Sequence, residues 1–319
     1  MKLTALAGGT GAAKLLRGLS RIMDPRDLTV IVNTGDDAEI WGLHISPDLD
    51  TISYTFAGVI DERKGWGLTG ETFHALDQIV RFGEPAWFNL GDRDLATHLH
   101  RTRLLREGRT LTEVTRSITS ALGVAATVLP MSDQPVRTRI LGPEGWLTFQ
   151  EYFVREKAQV EARAVDYAGA AQSSPAPGVL EAIASAPAVL VCPSNPITSV
   201  GPILAVPGLV EALWATAATV VAVSPIVGGD AVSGPAGRLM ASVGLPVSAA
   251  GVARAYSSWL DRLVLDEQDG ALVAEVHALG VTPVLAPTMM SSRDAEIALA
   301  THVLGCIGGV RGPFRGPRI

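Results

Sequence analysis

Cysteine is nearly absent from this chain: there are two in 319 residues, Cys192 and Cys306, too few for a disulfide framework. Each lies in apolar surroundings, Val189–Cys192 and Gly305–Ile307, and both are expected as buried free thiols in a reducing compartment. Aromatic residues make up only 5% and charged residues 18%, with a formal net charge of −6. No basic stripe with interleaved aromatics occurs, which argues against a nucleic-acid partner and leaves a nucleotide open. No run approaches the roughly 18 apolar residues of a bilayer span, and the apolar stretch after Met1-Lys2 is too short for a signal peptide. The motifs H-E-x-x-H, C-x-x-C and G-x-S-x-G are missing, so zinc-protease and serine-hydrolase chemistry lose their main support. A soluble, cytoplasmic protein without membrane or nucleic-acid partners is the expectation.

What the chain has is a 47% apolar composition arranged in short runs that suit buried parallel strands. Leu3–Ala7 reads as a strand leading into the loop Gly8-Gly9-Thr10-Gly11-Ala12-Ala13-Lys14 and then a helix, and Leu28–Val32 reads as the next strand. Strand, glycine loop, helix, strand is one right-handed βαβ unit. Apolar residues at three- and four-residue spacing predict helices over 71–81, 94–107 and 112–122, within a helical insertion at 62–125. The remainder, 1–61 and 126–319, is expected as the α/β core. Further strands are predicted at Ala125–Leu129, Val136–Ile140, Trp146–Val154 after the turn Gly142–Gly145, Ala188–Cys192 and Thr219–Val223. The tail 308–319, with Gly, Pro and three arginines, is expected to fray.

Polar clusters follow the apolar runs. The opening glycines allow backbone N–H groups to approach phosphate, and the helix N-terminus adds a positive dipole, although a merely tight strand-to-helix turn would read the same way. Asp36-Asp37 and, a few residues on, Asp48 and Asp50 crowd four carboxylates into an apolar segment, where a hard cation such as Mg²⁺ would relieve their repulsion. Aspartates that only cap turns and helices are the alternative. In Gly91-Asp92-Arg93-Asp94, Asp94 suits an N-cap for a helix from Leu95 and His98 suits an ordinary helix residue. Arg93, between two aspartates, suits a phosphate or a metal-binding carboxylate. Lys14 stands close enough to the glycine loop to reach a phosphate.

Taken in order, Gly8–Gly11, Val32–Asp37, Ser46–Thr51, Gly65-Trp66-Gly67, Leu90–His98, Phe149-Gln150-Glu151, Pro193–Pro196 and Ser224–Gly229 resemble the 2-phospho-L-lactate transferase family of coenzyme F420 biosynthesis. The resemblance implies a Rossmann-like doubly wound, mostly parallel α/β sheet with a helical insertion, and a homodimer. It implies transfer of a phospholactyl-type group from a guanosine diphosphate-linked three-carbon acid to the terminal hydroxyl of the deazaflavin Fo, releasing GMP. It further implies that Asp36 and Asp50 hold Mg²⁺, that Asp48 supports the metal or orients the acceptor hydroxyl, and that Arg93 offsets charge on the transferred phosphoryl. Asp48, Asp50 and Arg93 would face the acceptor. Gly8, Gly9, Thr10, Gly11, Lys14, Ser194 and Asn195 would hold the nucleotide. Gly11-Ala12-Ala13-Lys14 departs from the second Gly-Gly expected in many members. The competing reading is a nucleotide-sugar-binding regulator with the same core, whose second loop would typically read Ala-Asp-Asp-Gly-Gly-Ser in place of Thr34-Gly35-Asp36-Asp37-Ala38-Glu39. On the transferase reading, Asp50→Asn should abolish transfer and leave the fold intact.

Overall fold

Successive residues of the core strands point to opposite faces of one sheet, and both faces are buried. Leu6, Ile31 and Val189 pack into one apolar cluster, while their neighbours Ala5, Val30 and Leu190 pack into the other. Burial on both sides explains why these strands read as continuous apolar runs. The structure, a computed structural model, describes residues 1–307. The tail 308–319, expected to fray, lies outside the described residues.

The chain opens with β1 (Leu3–Ala7), α1 (Gly9–Ile22) and β2 (Leu28–Val32), followed by a hairpin of β3 (Ala38–Ile40) and β4 (Leu43–Ile45). Then come α2 (Pro47–Ala57), α3 (His74–Arg81), α4 (Asp92–Arg106) and α5 (Leu111–Ala121). After β5 (Thr127–Pro130), the strands β6 (Arg137–Gly142), β7 (Gly145–Thr148) and β8 (Ala164–Ala168) form an antiparallel sheet in the order β7-β6-β8. The core resumes with β9 (Ala188–Val191) and β10 (Thr219–Val223), a small hairpin of β11 (Ile226–Val227) and β12 (Asp230–Ala231), β13 (Arg262–Asp266) and β14 (Thr282–Ala286).

The central sheet has seven strands in the order β14-β13-β10-β9-β1-β2-β5, and every pairing in it is parallel. From β1 the chain winds outward through β2 to β5, and the later strands then wind the other way from β9. The order reverses between β1 and β9, and in doubly wound folds the crevice beyond the carboxyl ends of the strands at that point is where ligands bind. One layer over the sheet is built by α1, α2 and the C-terminal helix Arg293–Ile307, through residues such as Leu15, Ile52 and Leu299. The other layer holds the helices between β8 and β13 together with the small antiparallel sheet, through Ile183, Leu239 and Ile140. Leu111, at the start of α5, joins the core beside Val128.

The structure changes several local expectations. The glycine segment is shorter than predicted, because α1 begins at Gly9 and Ala12 and Ala13 are buried on its core side. The methyl groups at these positions therefore pack inward. The strand predicted to run to Val154 stops at Thr148, where Thr148 N donates to Glu151 Oε2 (2.9 Å) and Glu151 N to Thr148 Oγ1 (3.2 Å), capping a wide helical turn over Glu151–Arg155. Helix α4 starts at Asp92 with Gly91 as its cap, and Asp94 lies inside the first turn. Its caps are exchanged with α3. Glu71 accepts from Arg93 N and Asp94 N, while Asp92 accepts from His74 N and Ala75 N. Strands β8, β13, β14 and the β3–β4 hairpin were not predicted from sequence.

Candidate active site

A cavity of about 660 Å³ opens at the carboxyl ends of β1, β2 and β9, at the point where the strand order reverses. Gly8, Gly9, Thr10, Gly11, Lys14, Ser194 and Asn195, the residues expected to hold the nucleotide, are all among its lining. Gly9 has φ +74°, the left-handed region that favours glycine, and its N–H donates to Asp48 Oδ1 at 2.7 Å. Gly8 N donates to Ser194 Oγ at 3.2 Å. A Cβ at Gly11 would stand 2.4 Å from the carbonyl oxygen of Pro193, so the first turn of α1 touches the backbone after β9. We therefore expect Gly11→Ala to destabilise the fold by about 1–3 kcal/mol, the usual cost of overpacking, and to weaken nucleotide binding. Urea unfolding and a guanosine diphosphate titration check this.

Asn195 Oδ1 accepts from Ile197 N (3.0 Å) and Thr198 N (3.4 Å), which caps the following turn. Its buried Nδ2 has no protein partner and is available to a ligand. Lys14 Nζ is held 3.2 Å from the carbonyl oxygen of Met290. Asn33, which sequence reading passed over, ties the loops together. Its Nδ2 donates to Asp48 Oδ2 (2.9 Å) and to Thr198 O (3.1 Å), and its Oδ1 accepts from Gly35 N (2.8 Å).

The carboxylates fall into two groups. The first contains Asp36, Asp37 and Asp48. Burial, reinforced by the charges of Asp48 and Asp37, pushes the Asp36 carboxyl well above the ordinary carboxylate range, and its Oδ1 has no partner. Gln150 Nε2 fixes the Asp36 backbone by donating to its carbonyl at 3.0 Å. Asp37 Oδ2 accepts from Ser46 Oγ (2.9 Å) and stands 3.0 Å from His44 Nε2, while its Oδ1 is buried without a partner. Asp48 is pushed up to about 6 by burial, against the lowering effect of Asn33 and the Gly9 N–H.

The second group is built on α2 and α4. Asp94, His98 and Arg101 are spaced i, i+4, i+7 and share one face of α4, which meets Asp50 and Tyr54 of α2. Arg101, almost fully buried, grips Asp50 with both terminal nitrogens: Nη1 to Oδ2 at 3.0 Å, and Nη2 to Oδ1. Arg101 Nη1 also stands 3.2 Å from His98 Nδ1. That contact makes Nδ1 the acceptor and places the His98 proton on Nε2, 3.3 Å from Asp94 Oδ1. The Tyr54 hydroxyl lies 2.7 Å from both Asp94 Oδ1 and Thr97 Oγ1. Burial works to raise Asp94, but His98, Tyr54 and Arg101 together hold it below its ordinary value. Asp50 is raised by burial in spite of Arg101 and His98. Ligand atoms of Asp50, Asp94 and His98 all lie within 4.8 Å of one another.

Of the predicted site residues, Asp36, Asp48 and Asp50 line the cavity with the nucleotide-side group, and Arg93 does not join them. Arg93 is exposed and its guanidinium donates to Thr69 O, because the residue next to Asp94 on a helix points roughly 100° away. The cation that meets Asp50 is Arg101, buried behind the cavity wall, and Lys14 is a cation that lines the cavity itself. His98, predicted as an ordinary helix residue, is buried against the cavity. Spacing on α4 carried a signal for both: counting i, i+4, i+7 from Asp94 selects His98 and Arg101 and rejects Arg93.

Residues 3–289 match the family model of 2-phospho-L-lactate transferase CofD. The chain belongs to this family. Family members span nearly its full length: the phosphoenolpyruvate transferase of Streptomyces griseus is 45% identical over 317 residues, covering 98% of this chain and all of the relative. The 2-phospho-L-lactate transferase of Methanosarcina mazei is 43% identical over 298 residues, covering 93% and 98%. Among solved structures, a UPF0052 family member from Bacillus halodurans superimposes with a TM-score of 0.63 at 17% identity, covering 95% of this chain and 98% of that one, and shows the shared fold. The transferase is thus an enzyme that moves a phosphate-containing group. No single helix among its described residues is long and apolar enough to cross a membrane.

Proposed function

We propose that the enzyme acts in coenzyme F420 biosynthesis, moving a phospho-three-carbon acid group from a guanosine diphosphate-linked donor to the terminal hydroxyl of Fo, with release of GMP. The observation that carries this reading is the cavity itself. A helix N-terminus flanked by glycines, an unpartnered Asn195 amide and the raised carboxyls of Asp36, Asp48 and Asp50 line one cavity of about 660 Å³. The α-phosphate would lie over Gly8–Gly11 with Ser194 and Asn195 alongside, leaving the β-phosphorus, which carries the three-carbon acid and accepts the attack, toward Asp48 and Asp50.

The carboxylate wall fits Mg²⁺. Asp36 Oδ1 is buried without a partner, and burial raises Asp36 and Asp48, so a divalent cation would supply the missing counter-charge. Asp36 and Asp50 would hold the ion, Asp50 with its carboxylate oriented by Arg101. When bound, the cation would neutralise the diphosphate and the charge on the leaving GMP. Asp48, raised to about 6 by burial and held by Asn33 and the Gly9 N–H, would take the proton of the attacking hydroxyl. The remaining work is positioning, since phosphoryl transfer to an alcohol needs no covalent partner from the protein. The enzyme would work as a cytoplasmic homodimer.

The two named relatives split between an enolpyruvyl and a lactyl donor at 45% and 43% identity, so the donor is a matter for assay. Purified protein with Fo and Mg²⁺ is offered the lactyl, enolpyruvyl and glyceryl diphosphoguanosine donors in parallel, and products are weighed by mass spectrometry. We expect one donor to give Fo plus a phospho-three-carbon unit together with GMP, and no product once the metal is chelated. Saturable nucleotide-sugar binding with no product from any donor would replace this reading with the regulator.

A further inference from the structure

The segment Gly65-Trp66-Gly67, which the residues discussed so far leave without a task, sits on a short strap across the mouth of the cavity. Trp66 lines the cavity and is 39% exposed, a large apolar ring kept open to solvent. The strap that presents it is braced at several points. Ile60 and Leu68 pair across its base and pack on Tyr54, whose hydroxyl meets Asp94. Asp61 Oδ1 accepts from Arg63 N (3.0 Å) and Lys64 N (3.4 Å), and Asp61 N donates to Gly67 O at 3.0 Å. Glu62 pairs with Arg293 of the C-terminal helix and lies 4.0 Å from Arg17 of α1.

Gly65 and Gly67 hold φ of +77° and +68°, so the backbone on either side of the ring adopts a conformation that side chains disfavour. A Cβ at Gly65 would stand 3.0 Å from Thr10 Cγ2, which puts the strap directly against the first turn of α1. The Lys64 ammonium lies 5.2 Å from the Trp66 ring and 5.0 Å from Phe73, covering one face of the indole. The ring is therefore fixed, charged on one face, and offered to whatever fills the cavity. A rigid aromatic with few torsions makes a contact surface at low entropic cost.

We infer that Trp66 is a substrate-contacting residue that stacks on a planar fused heteroaromatic ring bound in the cavity. This rests on the transferase reading, under which two such rings are present, the guanine of the donor and the deazaflavin of the acceptor.

The test compares wild type, Trp66→Phe and Trp66→Ala in steady-state transfer and in equilibrium binding of guanosine diphosphate and of Fo separately. We expect Trp66→Ala to raise KM and the matching dissociation constant for one ring by about tenfold or more, kcat to stay within about threefold, and Trp66→Phe to recover most of the loss. A rise confined to guanosine diphosphate identifies the guanine, and one confined to Fo identifies the deazaflavin. Unchanged constants for both overturn the inference, as does a fall in kcat together with thermal stability that Phe does not rescue. The binding arm needs no turnover. An inactive wild type would sink the transferase reading while the two dissociation constants still decide the role of Trp66.

Discussion

Arg101→Ala is expected to lower the unfolding free energy by about 3–5 kcal/mol and to reduce transfer below detection. The guanidinium is 2% exposed and makes both arms of its pair with Asp50, so its removal leaves a carboxylate buried beside Asp94 without a counter-charge. His98 would lose the donor that fixes its tautomer, and with it the contact that steadies Asp94. The same geometry corrects the expectation that Asp50→Asn leaves the fold intact, because that change strands Arg101 as an unpaired buried cation. A double-mutant cycle separates the effects. Asp50→Leu with Arg101→Met should regain much of the stability lost by either single change, since an apolar pair of similar volume can replace a buried ion pair. It should regain none of the activity. Urea midpoints and turnover on all four proteins check this, and additive stability losses would show that the pair is not coupled.

Asp36→Asn should behave in the opposite way towards stability. Its carboxylate is buried, faces the charges of Asp48 and Asp37, and leaves Oδ1 without a partner. Relieving the cost of burying an ionisable carboxyl beside Asp48 and Asp37 should stabilise the ligand-free protein by about 1–3 kcal/mol at neutral pH, each unit by which the fold raises a carboxyl pKa being worth about 1.4 kcal/mol. Transfer should fall by about a thousandfold, as for loss of one preorganised electrostatic contact. The Mg²⁺ concentration for half-maximal activity should rise steeply in Asp36→Asn. Thermal melts with and without Mg²⁺ read the sign directly: a metal that stabilises wild type and leaves the variant unmoved supports Asp36 as a ligand. A variant that responds to Mg²⁺ as wild type does would remove Asp36 from the metal site.

The opposed signs follow from partners, which the sequence does not display. Asp36, Asp48 and Asp50 look alike as aspartates in an apolar segment. In the fold, Asp36 is repelled by its neighbours, Asp48 is held by Asn33 and the Gly9 N–H, and Asp50 is locked by Arg101. Only the last is neutralised by protein alone. The two carboxylate groups have different charge environments, and their separation comes from α2 entering the site with Asp48 facing α1 and Asp50 facing α4.

By itself the sequence determined the parallel core, since strands buried on both faces must be apolar throughout, as Leu3–Ala7 and Thr219–Val223 are. It also determined where polar chemistry clusters, because loops after such strands are the places free to carry it, and the motif set was enough to indicate the family. Strand β14, at the sheet edge, and its neighbour β13 stayed hidden, since Arg262 and Asp266 bound the short apolar run of β13 and β14 is exposed at Thr282 and Leu285. Only the tertiary structure decided which arginine meets Asp50. Arg93 and Arg101 differ by which way one face of α4 turns, and that rotation is set by packing against β4 and α5. It likewise chose Asn33 as the link between loops and put Trp66 at the mouth of the cavity, since each role consists of contacts between segments that only the folded sheet brings together.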